Sequence, residues 1–121
     1  MADEAAILVV DDEAVMQEVL ATLLAKEGYK VYVAATGEAG IDLANAESID
    51  AVVLDVMMPP PDGLEVLRLA GERARENGSK IVMCTAKTSA EAEVEFRSLG
   101  ADFVLHKPFK PLKMADYLRG L

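Results

Sequence analysis

The sequence predicts an α/β fold built on a parallel sheet, and two observations carry that prediction. Short, nearly unbroken runs of Ile, Leu and Val recur along the chain, as expected of strands covered on both faces. Segments with helical spacing separate them, and a βαβα alternation calls for parallel strands joined by right-handed crossovers.

Taken in order, the elements form five β/α units. Ile7-Leu8-Val9-Val10 is the first strand, and Asp11 and Asp12 stand at its carboxyl end. Glu13 to Glu27 is a helix, because Val15, Val19, Leu20, Leu23 and Leu24 recur at helical spacing and Gly28 supplies a stop. Lys30 to Ala35 is a short strand. Gly37 to Ala46 is a helix behind Thr36 as N-cap, with Ile41 and Leu43 as its larger apolar residues. Ala51-Val52-Val53-Leu54 is the third strand and ends in Asp55.

The loop from Val56 to Gly63 is stiff, since Pro59, Pro60 and Pro61 fix φ and withhold amide donors. Asp62 is placed to cap the next helix with Glu65 three residues on, and Leu64, Leu67 and Leu69 are expected to form its apolar face. Lys80 to Cys84 is a strand ending in Thr85. Thr88 or Ser89 caps a helix through Leu99 that Gly100 ends; Ala92, Val94, Phe96 and Leu99 are too scattered to define its core face. Phe103 to His106 is the last strand, followed by Lys107-Pro108, and Pro111 opens a final helix carrying Leu112, Ala115 and Leu118.

Strand ends therefore deliver Asp11, Asp12, Asp55, Thr85 and Lys107 to one edge of the sheet. In open α/β sheets that edge is where ligands bind. Adjacent carboxylates repel there unless a proton or a cation separates them, and a divalent metal is the natural resolution. Simpler readings exist for each residue alone. Asp11-Asp12 can serve as a helix N-cap, Thr85 can end a strand, and Lys107 can be a solvated loop residue; His106, the only histidine, reads as a strand-end residue.

Composition narrows the function classes. With 121 residues, 52% hydrophobic and 27% charged, the chain reads as one globular domain over residues 1–121. A net charge of −9 argues against direct nucleic-acid binding, because phosphate affinity is carried by Lys and Arg. The charge is uneven: residues 1–66 hold 14 acids and two bases, while residues 67–121 hold seven acids and ten bases. No apolar stretch is long enough for a membrane span, and Met1-Ala2-Asp3-Glu4 is an acidic start, so a cytoplasmic protein without membrane partners is expected. The single cysteine, Cys84, lies in an apolar strand and reads as a buried, inert thiol.

These residues in this order resemble the receiver domain of two-component response regulators, the CheY-like family. The resemblance rests on Asp11-Asp12, Asp55 with Met58-Pro59 and Asp62-Gly63 behind it, Thr85-Ala86, Gly100-Ala101-Asp102 and Lys107-Pro108-Phe109. It implies a doubly wound (βα)5 flavodoxin-like fold, with a five-stranded parallel sheet in the order 2-1-3-4-5.

The resemblance also implies roles. Asp55 is the phosphoacceptor, taking a phosphoryl group from a sensor histidine kinase or a histidine phosphotransfer protein. Mg²⁺ is held by Asp12, Asp55 and the Met57 carbonyl, with Asp11 close by or acting through water. Lys107 pairs with phosphoryl oxygens and Thr85 hydrogen-bonds another. Met57 and Lys87 tune the phosphoryl lifetime, and Lys107-Pro108 is a cis peptide. Thr85, Ala86 and Val104 occupy the switch positions. The family often has Tyr or Phe where this chain has Val104, so switching is expected to rely on backbone movement around residues 86–91.

The expected output is a protein-binding surface on the fourth helix, fifth strand and fifth helix, acting on a downstream protein or on a C-terminal output domain. A monomer or a weak phosphorylation-dependent dimer is expected. The domain is not expected to be an enzyme in the ordinary sense, although it promotes its own Mg²⁺-dependent phosphorylation and dephosphorylation. Two other classes fit less well. A haloacid-dehalogenase-like phosphatase would place a second Asp two residues after its nucleophile, but Glu13 stands two residues after Asp11. A nucleotide-binding protein would need a Gly-rich phosphate loop, and none occurs. A degenerate receiver acting by contact alone is opposed by the intact set of Asp11, Asp12, Asp55, Thr85 and Lys107.

Overall fold

A computed structural model describes residues 4–86 and 90–119. Five strands alternate with five helices: β1 Ala6–Val10, α1 Ala14–Lys26, β2 Lys30–Ala34, α2 Gly37–Ala46, β3 Ala51–Asp55, α3 Gly63–Glu76, β4 Lys80–Thr85, α4 Ala90–Ser98, β5 Phe103–His106 and α5 Pro111–Leu118. All strand pairs are parallel, and the sheet order is β2-β1-β3-β4-β5. This is the doubly wound fold the sequence predicts.

Alternation along the strands divides the core between two faces. Leu8, Val10, Val52, Leu54 and Met83 point toward α2, α3 and α4, where Val66, Leu67 and Phe96 meet them. Ile7, Val9, Val53, Val82 and Leu105 point the other way, toward Leu20 and Leu24 of α1 and Met114 and Leu118 of α5. Both faces are covered, which is why the strands read as continuous apolar runs rather than as alternating ones.

The caps follow the sequence expectations closely. Thr36 Oγ1 accepts the Ala39 amide at 3.1 Å, and Asp62 Oδ1 accepts the Glu65 amide at 2.9 Å. Gly28 and Gly100 stop α1 and α4 with φ of 95° and 111°, a backbone region that side chains disfavour. Thr88 and Ser89, the expected caps of α4, lie outside the described residues.

The expected helix faces need correction. Leu69, read as part of the α3 core face, is 71% exposed, and the buried positions are Val66 and Leu67. On α1, Val15 is 75% exposed, while Leu20 and Leu24 are buried. These helices are apolar over a wider arc than the sheet covers. Val94 of α4 and Leu112 of α5 are also exposed, whereas Phe96 and Leu118 are buried.

Candidate functional site

β1 is flanked by β2 on one side and β3 on the other, so the chain winds outward in both directions from the β1–β3 seam. A crevice opens beyond the strand ends at such a switch point. Asp11 and Asp12 leave β1 there and Asp55 ends β3, so the acids flank the seam. Thr85 ends β4, and Lys107 follows β5 with its amide donating to the Thr85 carbonyl at 2.8 Å. Five residues from four widely separated segments are thus brought to one edge by strand register.

Lys107 is the hub. Its Nζ lies 3.1 Å from Asp55 Oδ1, 3.6 Å from Asp11 Oδ2 and 3.7 Å from Glu13 Oε1. Asp11 and Asp55 are buried, whereas Asp12 is exposed at the mouth. Asp11 is held from both sides: its Oδ1 accepts the Glu13 amide at 2.9 Å, and its carbonyl accepts Gln17 Nε2 at 2.7 Å. The Met57 amide donates to Asp55 Oδ1 at 3.3 Å, so the loop after β3 curls over the carboxylate.

That curl depends on Gly63. A methyl group added there would overlap the Asp55 carbonyl oxygen and crowd the Val56 Cα, so the first turn of α3 rides directly on the backbone of β3. The Asp62-Gly63 pair therefore caps α3 and permits the close approach that sets the loop.

Burial raises the Asp55 carboxyl above its ordinary value and Asp11 raises it further, against the opposing hydrogen bond and charge of Lys107. Asp11 is likewise raised, chiefly by burial, with the Glu13 amide and Lys107 opposing. Burial pushes the Lys107 ammonium down, but its bond to Asp55 and the charges of Asp55 and Asp11 outweigh this and leave it raised. Cys84, buried between these groups and the core, has its thiol pushed up to about 12 and is chemically inert.

The sequence model of the response regulator receiver domain matches residues 7–119. The chain belongs to that family. Chemotaxis protein CheY4 of Vibrio cholerae, crystallized at pH 4.0, superposes with a TM-score of 0.88 at 30% identity, over 96% of this chain and 97% of that one. A CheY-like receiver domain protein from Methanospirillum hungatei gives 0.88 at 30% identity, over 95% and 90%. A Burkholderia pseudomallei response regulator, solved with a phosphorylated aspartic acid, a calcium ion and citrate, gives 0.86 at 26% identity, over 97% and 68%.

Receivers are signalling domains rather than conventional enzymes, and phosphorylation on an aspartate is general to them. In this receiver Asp11, Asp12 and Asp55 present ligand atoms within 4.8 Å of one another. Asp55 Oδ2 is buried without a hydrogen-bond partner, a costly arrangement that a cation relieves. The set is all oxygen, which suits a hard divalent ion such as Mg²⁺.

The remaining expected positions are distributed as follows. Thr85 is fully buried, Ala86 and Met57 are exposed, and Lys87 lies outside the described residues. The Lys107–Pro108 peptide is cis, as is Pro60–Pro61. Val104 is buried in the cluster that holds Phe96, whereas Phe103 stacks on Tyr117 across the other face, with ring centroids 4.8 Å apart. The sequence reading missed Glu13 as a partner of Lys107; the signal was the third consecutive acid in Asp11-Asp12-Glu13. No helix among the described residues is long and apolar enough to cross a membrane.

Proposed function

We propose that residues 1–121 act as one receiver that takes a phosphoryl group onto Asp55 from a phosphohistidine of a sensor histidine kinase or histidine phosphotransfer protein. The observation that carries the reading is the state of Asp55: a buried carboxylate with one oxygen on Lys107 and Met57 and the other unpartnered. An Asp55 oxygen attacks phosphorus, the P–N bond breaks, and the electron pair leaves on the imidazole. Asp55 ends as an acyl phosphate.

Asp12, Asp55 and the Met57 carbonyl would hold Mg²⁺, with Asp11 close by or acting through water. When bound, the ion screens the repulsion between an anionic nucleophile and an anionic phosphoryl group. Lys107 then exchanges part of its contact with Asp55 for phosphoryl oxygens, as a compact point charge. Thr85 donates to another phosphoryl oxygen. Met57 and Lys87 set the lifetime of the acyl phosphate, Lys87 lying outside the described residues.

Phosphorylation biases an existing equilibrium between two surface arrangements. With Val104 in place of an aromatic, the shift is assigned to residues 86–91, of which 87–89 lie outside the described residues, and reaches the face made by α4, β5 and α5. That face meets a downstream protein or a C-terminal output domain, and the receiver works as a monomer or a weak phosphorylation-dependent dimer in the cytoplasm. The test is intact mass after incubation with an acyl-phosphate donor, with and without Mg²⁺. One added phosphoryl group that requires Mg²⁺ and is absent from Asp55→Asn supports the reading; addition to Asp55→Asn contradicts it.

A further inference from the structure

The geometry points to Glu13 as the residue that selects among phosphodonors, an inference that rests on the phosphoacceptor reading of Asp55. Glu13 is the N-cap residue of α1, yet its side chain makes no capping hydrogen bond. The carboxylate turns instead toward Lys107, with Oε1 at 3.7 Å from Nζ. Exposure grades outward through the cluster: the side chains are 2% exposed at Asp55, 4% at Asp11, 18% at Lys107 and 67% at Glu13. Glu13 is therefore a rim charge on the cation that the incoming phosphoryl group must engage.

Two consequences have the same sign. A donor must bring anionic oxygens to Lys107, and the Glu13 carboxylate competes for that ammonium. The same carboxylate repels the donor as it enters, and a rim charge acts mainly on association. A small free donor has little besides its phosphoryl charge with which to bind. A protein donor has a contact surface that offsets the repulsion. Glu13 thus tilts the site away from free acyl phosphates and toward protein phosphohistidines.

The test compares wild type, Glu13→Gln and Glu13→Asp at saturating Mg²⁺, with saturation established for each protein. Phosphorylation rate constants are read by quenched intact mass, using dianionic acetyl phosphate and monoanionic phosphoramidate. At low ionic strength Glu13→Gln is expected to react about threefold to tenfold faster with acetyl phosphate, the scale of one unit charge about 4 Å away in a water-like dielectric, as suits so exposed a carboxylate. The gain should be smaller with phosphoramidate and should fall toward unity near ~1 M salt, where the screening length is about 3 Å. Glu13→Asp keeps the charge and should stay within about twofold of wild type.

Equal rates for wild type and Glu13→Gln at low salt, with both proteins phosphorylated on Asp55, overturn the inference. A slower Glu13→Gln also overturns it and makes Glu13 a helper. So does a gain that is independent of salt and donor charge, which marks a packing change. Wild type that takes no phosphoryl group with Mg²⁺ present removes the phosphoacceptor reading itself, and this inference with it.

Discussion

Lys107 Nζ reaches Asp55 Oδ1 at 3.1 Å across the end of β4, so the pair ties together two strands that are not neighbours in the sheet. Thr85 and Cys84 lie beneath this bridge on the strand it crosses. The attraction does not fully offset the burial of Asp55, whose carboxyl remains raised above its ordinary value.

A pH dependence follows from that balance. A carboxyl raised by folding favours the folded state below its unfolded value, near 3.8, and loses that contribution as pH rises through the folded value. Asp55→Asn mimics the protonated form at every pH. Without Mg²⁺, the variant should match wild type in acid and become the more stable of the two at pH 7. Denaturant titrations of both proteins at several pH values check this; a variant less stable than wild type at pH 7 would contradict it.

Mg²⁺ should reverse the ranking. Binding to the folded state alone stabilises wild type by about 2.7 kcal/mol at a concentration 100 times the dissociation constant. Asp12→Ala removes an expected ligand from an exposed position, so it should lose most of this gain while keeping wild-type stability without the ion. Thermal melts across a Mg²⁺ series read both effects.

Gly63→Ala should be costly despite its small size. The added methyl meets backbone atoms of Asp55 and Val56, which cannot swing aside. Overpacking of this kind costs about 1–3 kcal/mol, and the displaced loop should also weaken Mg²⁺ binding. Denaturation midpoints and a Mg²⁺ titration of the same variant check the two parts together.

Much of the fold was legible because β1, β3 and β4 are buried almost throughout and the candidate site residues stand at or just beyond the ends of apolar runs. Thr36 and Asp62 were legible as caps for the same reason: their chemistry is local. Helix faces were not, because Val15, Leu20, Leu24 and Leu69 look alike in sequence and only the position of the sheet separates them. The Glu13 contact was hidden because it depends on where β5 delivers Lys107.

That distinction predicts unequal costs for similar truncations. Leu20→Ala, at a fully covered site, should lose about 2–5 kcal/mol. Val15→Ala and Leu69→Ala, at exposed sites, should stay within about 0.5 kcal/mol of wild type. Denaturation midpoints of the three variants decide whether the helix faces are as described.

The most direct test of the central claim is to locate the acyl phosphate chemically. Borohydride reduces an aspartyl phosphate to homoserine, and peptide mass then identifies the position. After treatment with an acyl-phosphate donor and Mg²⁺, the account predicts homoserine at position 55 and nowhere else. Homoserine at position 11, with residue 55 unchanged, would contradict it and make Asp11 the nucleophile.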